Sequence, residues 1–184
     1  MAQKSKFEWK RFRQSSTKKT FNCSQRIKTK VKKAKNGGSF DEKTIESILS
    51  CRNSFAGCYA ANELENLFIK TPCFIIVNLD DRQMNGSHWI AIGCFQNKLE
   101  IFDPLGFDLS KWPRLPSSLL SFLHKYSFSR KIKISKRLQS HNSNLCGLFC
   151  IFYVMNRPFK SFSRLQSVFS SHLRLNDSIL VRSF

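Results

Sequence analysis

Acidic residues are scarce in this chain. Twelve Asp or Glu stand against 31 Lys or Arg in 184 residues, a formal net charge of +19. An imbalance of that size implies a polyanionic partner such as nucleic acid, a membrane surface or an acidic protein. Glycine and proline are also few, at seven and five, which excludes collagen-like and Pro/Gly-rich low-complexity classes. The N-terminus, "MAQKSKFEWKRFR", has no apolar stretch, so no secretory signal is expected. No apolar run reaches membrane-spanning length; the longest, Leu148–Met155, suits a core helix. Seven Cys are present, an odd number, with no Cys-x-x-Cys and no Cys/His spacing for zinc. Reduced thiols in cytosol or nucleus are expected, and no metal.

What charge there is lies unevenly. Residues 1–36 hold thirteen Lys or Arg and one acid, Glu8, interleaved with Phe7, Trp9, Phe12 and Phe21. Residues 1–38 therefore read as a basic, disordered tail suited to nucleic acid, and "KTKVKKAK" as a nuclear import signal. Residues 39–184 form the expected folded domain, with Gly37-Gly38 as the boundary. Ser39 and Glu42 have the spacing of a capping box. Ile45, Ile48 and Leu49 then share one helical face. "CFIIVNL" (73–79) reads as a buried strand. "HWIAIGCF" (88–95) and "KLEIFD" (98–103) read as a hairpin turning at Gln96-Asn97. A helix is expected over 115–126, an edge strand over 131–138, and helices from Asn144 to Asn156 and from Phe162 to Leu173. The implied class is α+β, a small, mixed and mostly antiparallel sheet packed against helices.

The hairpin places two polar residues together. With a two-residue turn, paired positions sum to 193, so Ile90 faces Asp103 and His88 faces Leu105. His88 and Asp103 then share a sheet face as diagonal neighbours, roughly 7–8 Å apart at Cβ, within reach of a carboxylate–imidazole bond. Taken alone, the pair reads as a core-edge histidine satisfied by an acid. Cys146 begins the next apolar helix, where unpaired N–H groups and a nearby imidazolium both favour a thiolate. Gly147 would leave room for a substrate. If His88 reaches Cys146, the set has the parts for acyl transfer: nucleophile, proton carrier and orienting acid. The Cys146 N–H and an upstream side-chain amide, Gln139, Asn142 or Asn144, could hold the oxyanion. Cys150, one turn on, reads as a packed thiol, as do Cys73 and Cys94.

"GSHWIAIG", "FDPLGF" and "LQSHNSNLCGLFC" resemble the adenovirus endopeptidases and, more distantly, the SUMO-specific proteases of the same clan. The shared order is His-Trp opening a strand, an acid-Pro-x-Gly-Phe ending the next, Gln, then Cys-Gly opening a helix. The seven-position gap from Gln139 to Cys146 is of the adenoviral kind. SUMO proteases usually carry an acid before the Cys-Gly, where Leu145 stands here. The resemblance covers about Ser39 to Arg157. It implies a papain-like active-site arrangement in a different chain order, with His88 as general base, Asp103 as its orienter, Gln139 as oxyanion donor and Cys146 as nucleophile.

Two departures matter. The acid is Asp103 where the adenoviral enzymes usually carry Glu. Their activating viral peptide is joined through a disulfide, and the corresponding position here is Phe128, so a disulfide-linked activator is not expected. The implied function is a cysteine endopeptidase maturing viral capsid and core precursors in host nucleus and virion. It would be a monomer with no small-molecule cofactor, bound to DNA that could act as an activating polyanion. The alternatives are an isopeptidase for SUMO- or ubiquitin-like modifiers and a non-catalytic nucleic-acid-binding virion protein on the same fold.

Overall fold

The computed structural model describes Thr29 and residues 40–106, 115–128 and 130–184. The basic-tail reading and its boundary at Gly37-Gly38 lie outside the described residues, as does Ser39 of the expected capping box. The first helix, α1 (Glu42–Leu49), is capped instead by Asp41, whose carboxylate accepts from the Thr44 N–H at 2.8 Å. Either residue type can fill an N-cap, and Asp41 stands immediately before the first helical residue.

Five strands follow in one sheet, in spatial order β1-β2-β3-β4-β5: β1 (Phe55–Ala60), β2 (Cys73–Asn78), β3 (Trp89–Cys94), β4 (Lys98–Phe102) and β5 (Lys131–Ile134). The sheet is mixed, as expected: the two inner pairings are antiparallel and the two edge pairings parallel. Between β4 and β5 lies α2 (Ser117–Ser127). After β5 come α3 (Cys146–Asn156), α4 (Phe162–Gln166) and α5 (Leu173–Ser183).

β1 was not read from the sequence. Its "FAGCYA" has no clear alternation and includes Ala and Gly, which are depleted in strands. The helix expected over 162–173 ends at Gln166, and α5, which was not expected, starts at Leu173. Phe169 turns inward onto Phe149 and Phe152, with ring centroids 5.5 and 5.2 Å away. The buried Asn176 carboxamide bonds both the N–H and the C=O of Ser170, tying off the break.

Period-two alternation divides the sheet residues between two cores. Ile75, Val77, Ile90, Ile92, Leu99 and Ile101 meet Leu119, Phe122 and Leu123 of α2. Phe74, Ile76, Ala91 and Phe102 meet α1 and α3 on the other side. Burial on both faces explains why "CFIIV" is an unbroken apolar run.

On the α3 side, Glu100 is 0% exposed. Arg157, which follows α3, donates to it from Nε at 2.6 Å and from Nη2 at 2.9 Å; the Tyr153 hydroxyl donates at 2.9 Å. Removing one partner of such a pair strands a buried charge, so Arg157→Ala should cost about 3–5 kcal/mol. A urea unfolding midpoint that barely moves would contradict this.

Candidate active site

Three backbone segments converge at one end of the sheet. The hairpin register is the expected one, Cys94 opposite Leu99 through Ala91 opposite Phe102, closed by Phe95 N–H to Lys98 C=O. His88 and Asp103 stand just beyond the last paired residues of β3 and β4. There the pleat no longer dictates which face a side chain serves. Strict alternation would put both on the α2 side, yet they meet a helix packed on the opposite face. His88 Nε2 lies 2.7 Å from Asp103 Oδ1.

The acid is fixed from several directions. Its Oδ1 accepts the Leu105 N–H at 2.8 Å. Its backbone N–H donates to Ser135 Oγ, and the Ser135 hydroxyl donates back to its C=O, both at 2.8 Å. The turn closes with Gly106 N–H to Asp103 C=O, at a φ of +84° that favours glycine. A Cβ there would also lie 2.8 Å from that of Arg137. Pro104 C=O accepts from both Leu138 and Gln139 N–H groups at 2.8 Å. The acid's turn and the Gln139 segment are therefore one hydrogen-bonded unit.

Gln139 is 1% exposed. Its Nε2 donates to the Ser143 C=O at 2.5 Å, which leaves its second N–H for the cavity it lines. Of its rivals, Asn142 lines the neighbouring pocket, and Asn144 stands exposed on the rim. Cys146, 9% exposed, is the first residue of α3. The N-cap, Leu145, offers no side-chain hydrogen bond, so the first-turn donors are not consumed by a cap. Gly147 does not face the substrate space as expected: a Cβ there would lie 2.7 Å from that of Phe40. Its lack of a side chain admits Phe40 instead.

His88, Gln139 and Cys146 line one cavity of about 430 Å³, with Asp103 behind His88. Burial by itself would lower the His88 pKa. The hydrogen bond to Asp103, the hydrogen bond to Cys146 and the negative charge of both outweigh it and raise the pKa to about 9. With Nε2 on the carboxylate, Nδ1 is the ring nitrogen left for the sulfur. The imidazolium thus persists below pH 9 and is lost above it.

Cys73, Cys94 and Cys150 pack as core thiols. Cys150 is fully buried, its S–H donates to the Trp89 C=O at 3.4 Å, and burial pushes its pKa well up. Cys73 and Cys94 are buried, and Trp89 packs half-buried against the core. Among the described residues no group of three or more His, Cys, Asp or Glu is placed to hold a metal, and no helix is long and apolar enough to cross a membrane.

Sequence reasoning did not find Ser135, Ser143, Asn176 or Phe40. They act through backbone bonds and packing between distant segments, which no local pattern signals. NMR titration of the His88 ring should give a pKa of about 9, and Asp103→Asn should lower it. An ordinary value that is indifferent to the substitution would refute the coupling.

The chain matches the adenovirus endoprotease family over residues 55–176. It is 33% identical over 150 residues to the protease of ovine adenovirus D serotype 7, covering 74% of this chain and 71% of that protein. The protease of bovine adenovirus 7 is 31% identical over 120 residues, 59% of this chain and 58% of the relative. That of bovine adenovirus 4 is 36% identical over 88 residues, 43% and 44% of the two chains. The chain belongs to the adenovirus endoprotease family and is a cysteine endopeptidase.

Proposed function

We propose that Cys146 is the nucleophile, His88 the proton carrier, Asp103 its orienter, and Gln139 with the Cys146 N–H the oxyanion site. The observation that carries this is the single imidazole held between a buried carboxylate and a thiol at an uncapped helix start. The sulfur attacks the scissile carbonyl and a C–S bond forms. The oxyanion receives hydrogen bonds from the Cys146 backbone and the free N–H of Gln139. His88 gives its proton to the leaving amine as the C–N bond breaks. Water then attacks the thioester, giving one proton to His88, and the sulfur leaves.

The substrates in this reading are capsid and core precursor proteins of a DNA virus, cleaved in host nucleus and virion by a monomeric enzyme. The +19 charge supports attachment to DNA through residues 1–38 and the basic domain surface, with DNA localising or activating the enzyme. Phe128, 81% exposed, offers no thiol for a disulfide-linked peptide at that position.

Cys146→Ala should abolish cleavage of precursor peptides, and Gln139→Ala should slow it by roughly 10²–10³, the usual cost of one oxyanion donor. A Gln139→Ala enzyme as fast as the parent would remove that residue from the mechanism. DNA affinity should fall by orders of magnitude between about 50 and about 200 mM salt. Salt-independent binding would contradict phosphate contacts.

A further inference from the structure

The cavity holding Cys146 has the opposite charge character to the chain around it. Its lining includes Asp41, Glu42, Asp80 and Asp81, against one Arg, the His88 imidazolium and no Lys. That guanidinium, Arg82, is held by Glu42 and by the adjacent Glu63. The neighbouring pocket, by contrast, carries Arg137, His172 and Arg174 with no acid, and His141 lines both. On a chain of 31 bases and 12 acids, four acids in one cavity amount to a segregation of charge.

Glu42 is committed to Arg82 and Asp41 caps α1, which leaves Asp80 and Asp81. Asp80 Oδ1 accepts the Ser87 hydroxyl at 2.9 Å, and neither residue forms an ion pair among the described residues. Asp81 is exposed. A second feature marks the same cavity as a peptide site: the Oε1 of buried Gln139 has no partner, and a substrate N–H would satisfy it. Clefts lined by one sign of charge focus the field and concentrate ligands of the other sign. A strongly basic enzyme otherwise repels basic peptides, so a local reversal is what would admit them.

We propose that Asp80 and Asp81 form a specificity subsite for Lys or Arg side chains flanking the scissile bond, so that the preferred substrates are cationic segments. This rests on the reading of Cys146 and His88 as the catalytic pair.

The test uses the full chain and three peptides that share one cleavable core, flanked by Lys, Ala or Glu. Turnover by the parent enzyme is measured beside binding to its Cys146→Ala form, by fluorescence anisotropy. The Lys peptide should exceed the Glu peptide by about fivefold or more in kcat/KM and in affinity at low salt, the scale expected of two exposed ion pairs. The ratio should shrink as salt rises. In Asp80→Asn/Asp81→Asn it should approach one, and in Asp81→Lys it should invert. Because the readout is a ratio within one variant, a general loss of fold or activity does not imitate it. Equal handling of the three peptides by the parent, or an unchanged ratio in the double variant, overturns the subsite. Discrimination in binding without turnover of any peptide would keep the subsite and sink the catalytic assignment.

Discussion

The buried Glu100 carboxylate ties the helix that begins at Cys146 to the strand that leads into Asp103. It receives two guanidinium bonds from Arg157 and one hydroxyl bond from Tyr153. Buried charge is costly unless it is paired and hydrogen-bonded, so α3 has one favourable docking on β4. Sliding the helix by a residue would break the fork geometry that Arg157 and the carboxylate share. The Phe102 and Tyr153 rings stack beside it at 4.8 Å, adding shape to charge. Asp103 lies three residues beyond Glu100 in sequence, and Cys146 begins the helix that Arg157 follows. One ion pair therefore sets the register of both groups that His88 must touch.

A second fastening completes the site. Ser135 grips the backbone of Asp103 on both sides, and Pro104 receives Leu138 and Gln139. The position of Gln139 is thereby tied to that of Asp103. Asn176 carries the linkage to α5 by donating to the Leu138 C=O. The imidazole is held by its hydrogen bonds to Asp103 and Cys146, with their charge adding to the attraction. Its raised pKa is the electrostatic signature of being shared between a carboxylate and a sulfur.

Much of this was legible where the physics is local. A two-residue turn fixes cross-strand parity, so the hairpin alone brought His88 beside Asp103. The polar-to-apolar join at Cys146 located the helix start. Local pattern failed where partners are distant. Strand alternation marks Glu100 as off the apolar stripe, and the partners that make its burial tolerable include Tyr153 and Arg157, 53 and 57 positions away. The break between α4 and α5 depends on Phe169 and Asn176 finding partners in other elements. Gly147 invited a reading as substrate space because Phe40, which fills that space, lies more than a hundred residues earlier. The side of the sheet that His88 serves was likewise unreadable, because alternation lapses where pairing ends.

In the proposed reading, charge in this chain has two opposed tasks. Phosphate backbones are bound by cations at long range, almost without regard to geometry. Peptide selection is short-ranged and works against whatever field surrounds the cleft. With a net +19, an uncharged cleft would inherit the repulsion of the whole molecule toward basic peptides. Asp80 and Asp81 sit on the segment that leads into His88, so the carboxylates that reverse the sign are carried by the loop that delivers the imidazole. The acidic lining runs on from the cavity past Asp80 and Asp81 to Glu65, whereas the pocket of Arg137 and Arg174 carries no acid and, in the proposed reading, is the kind of surface left to a polyanion.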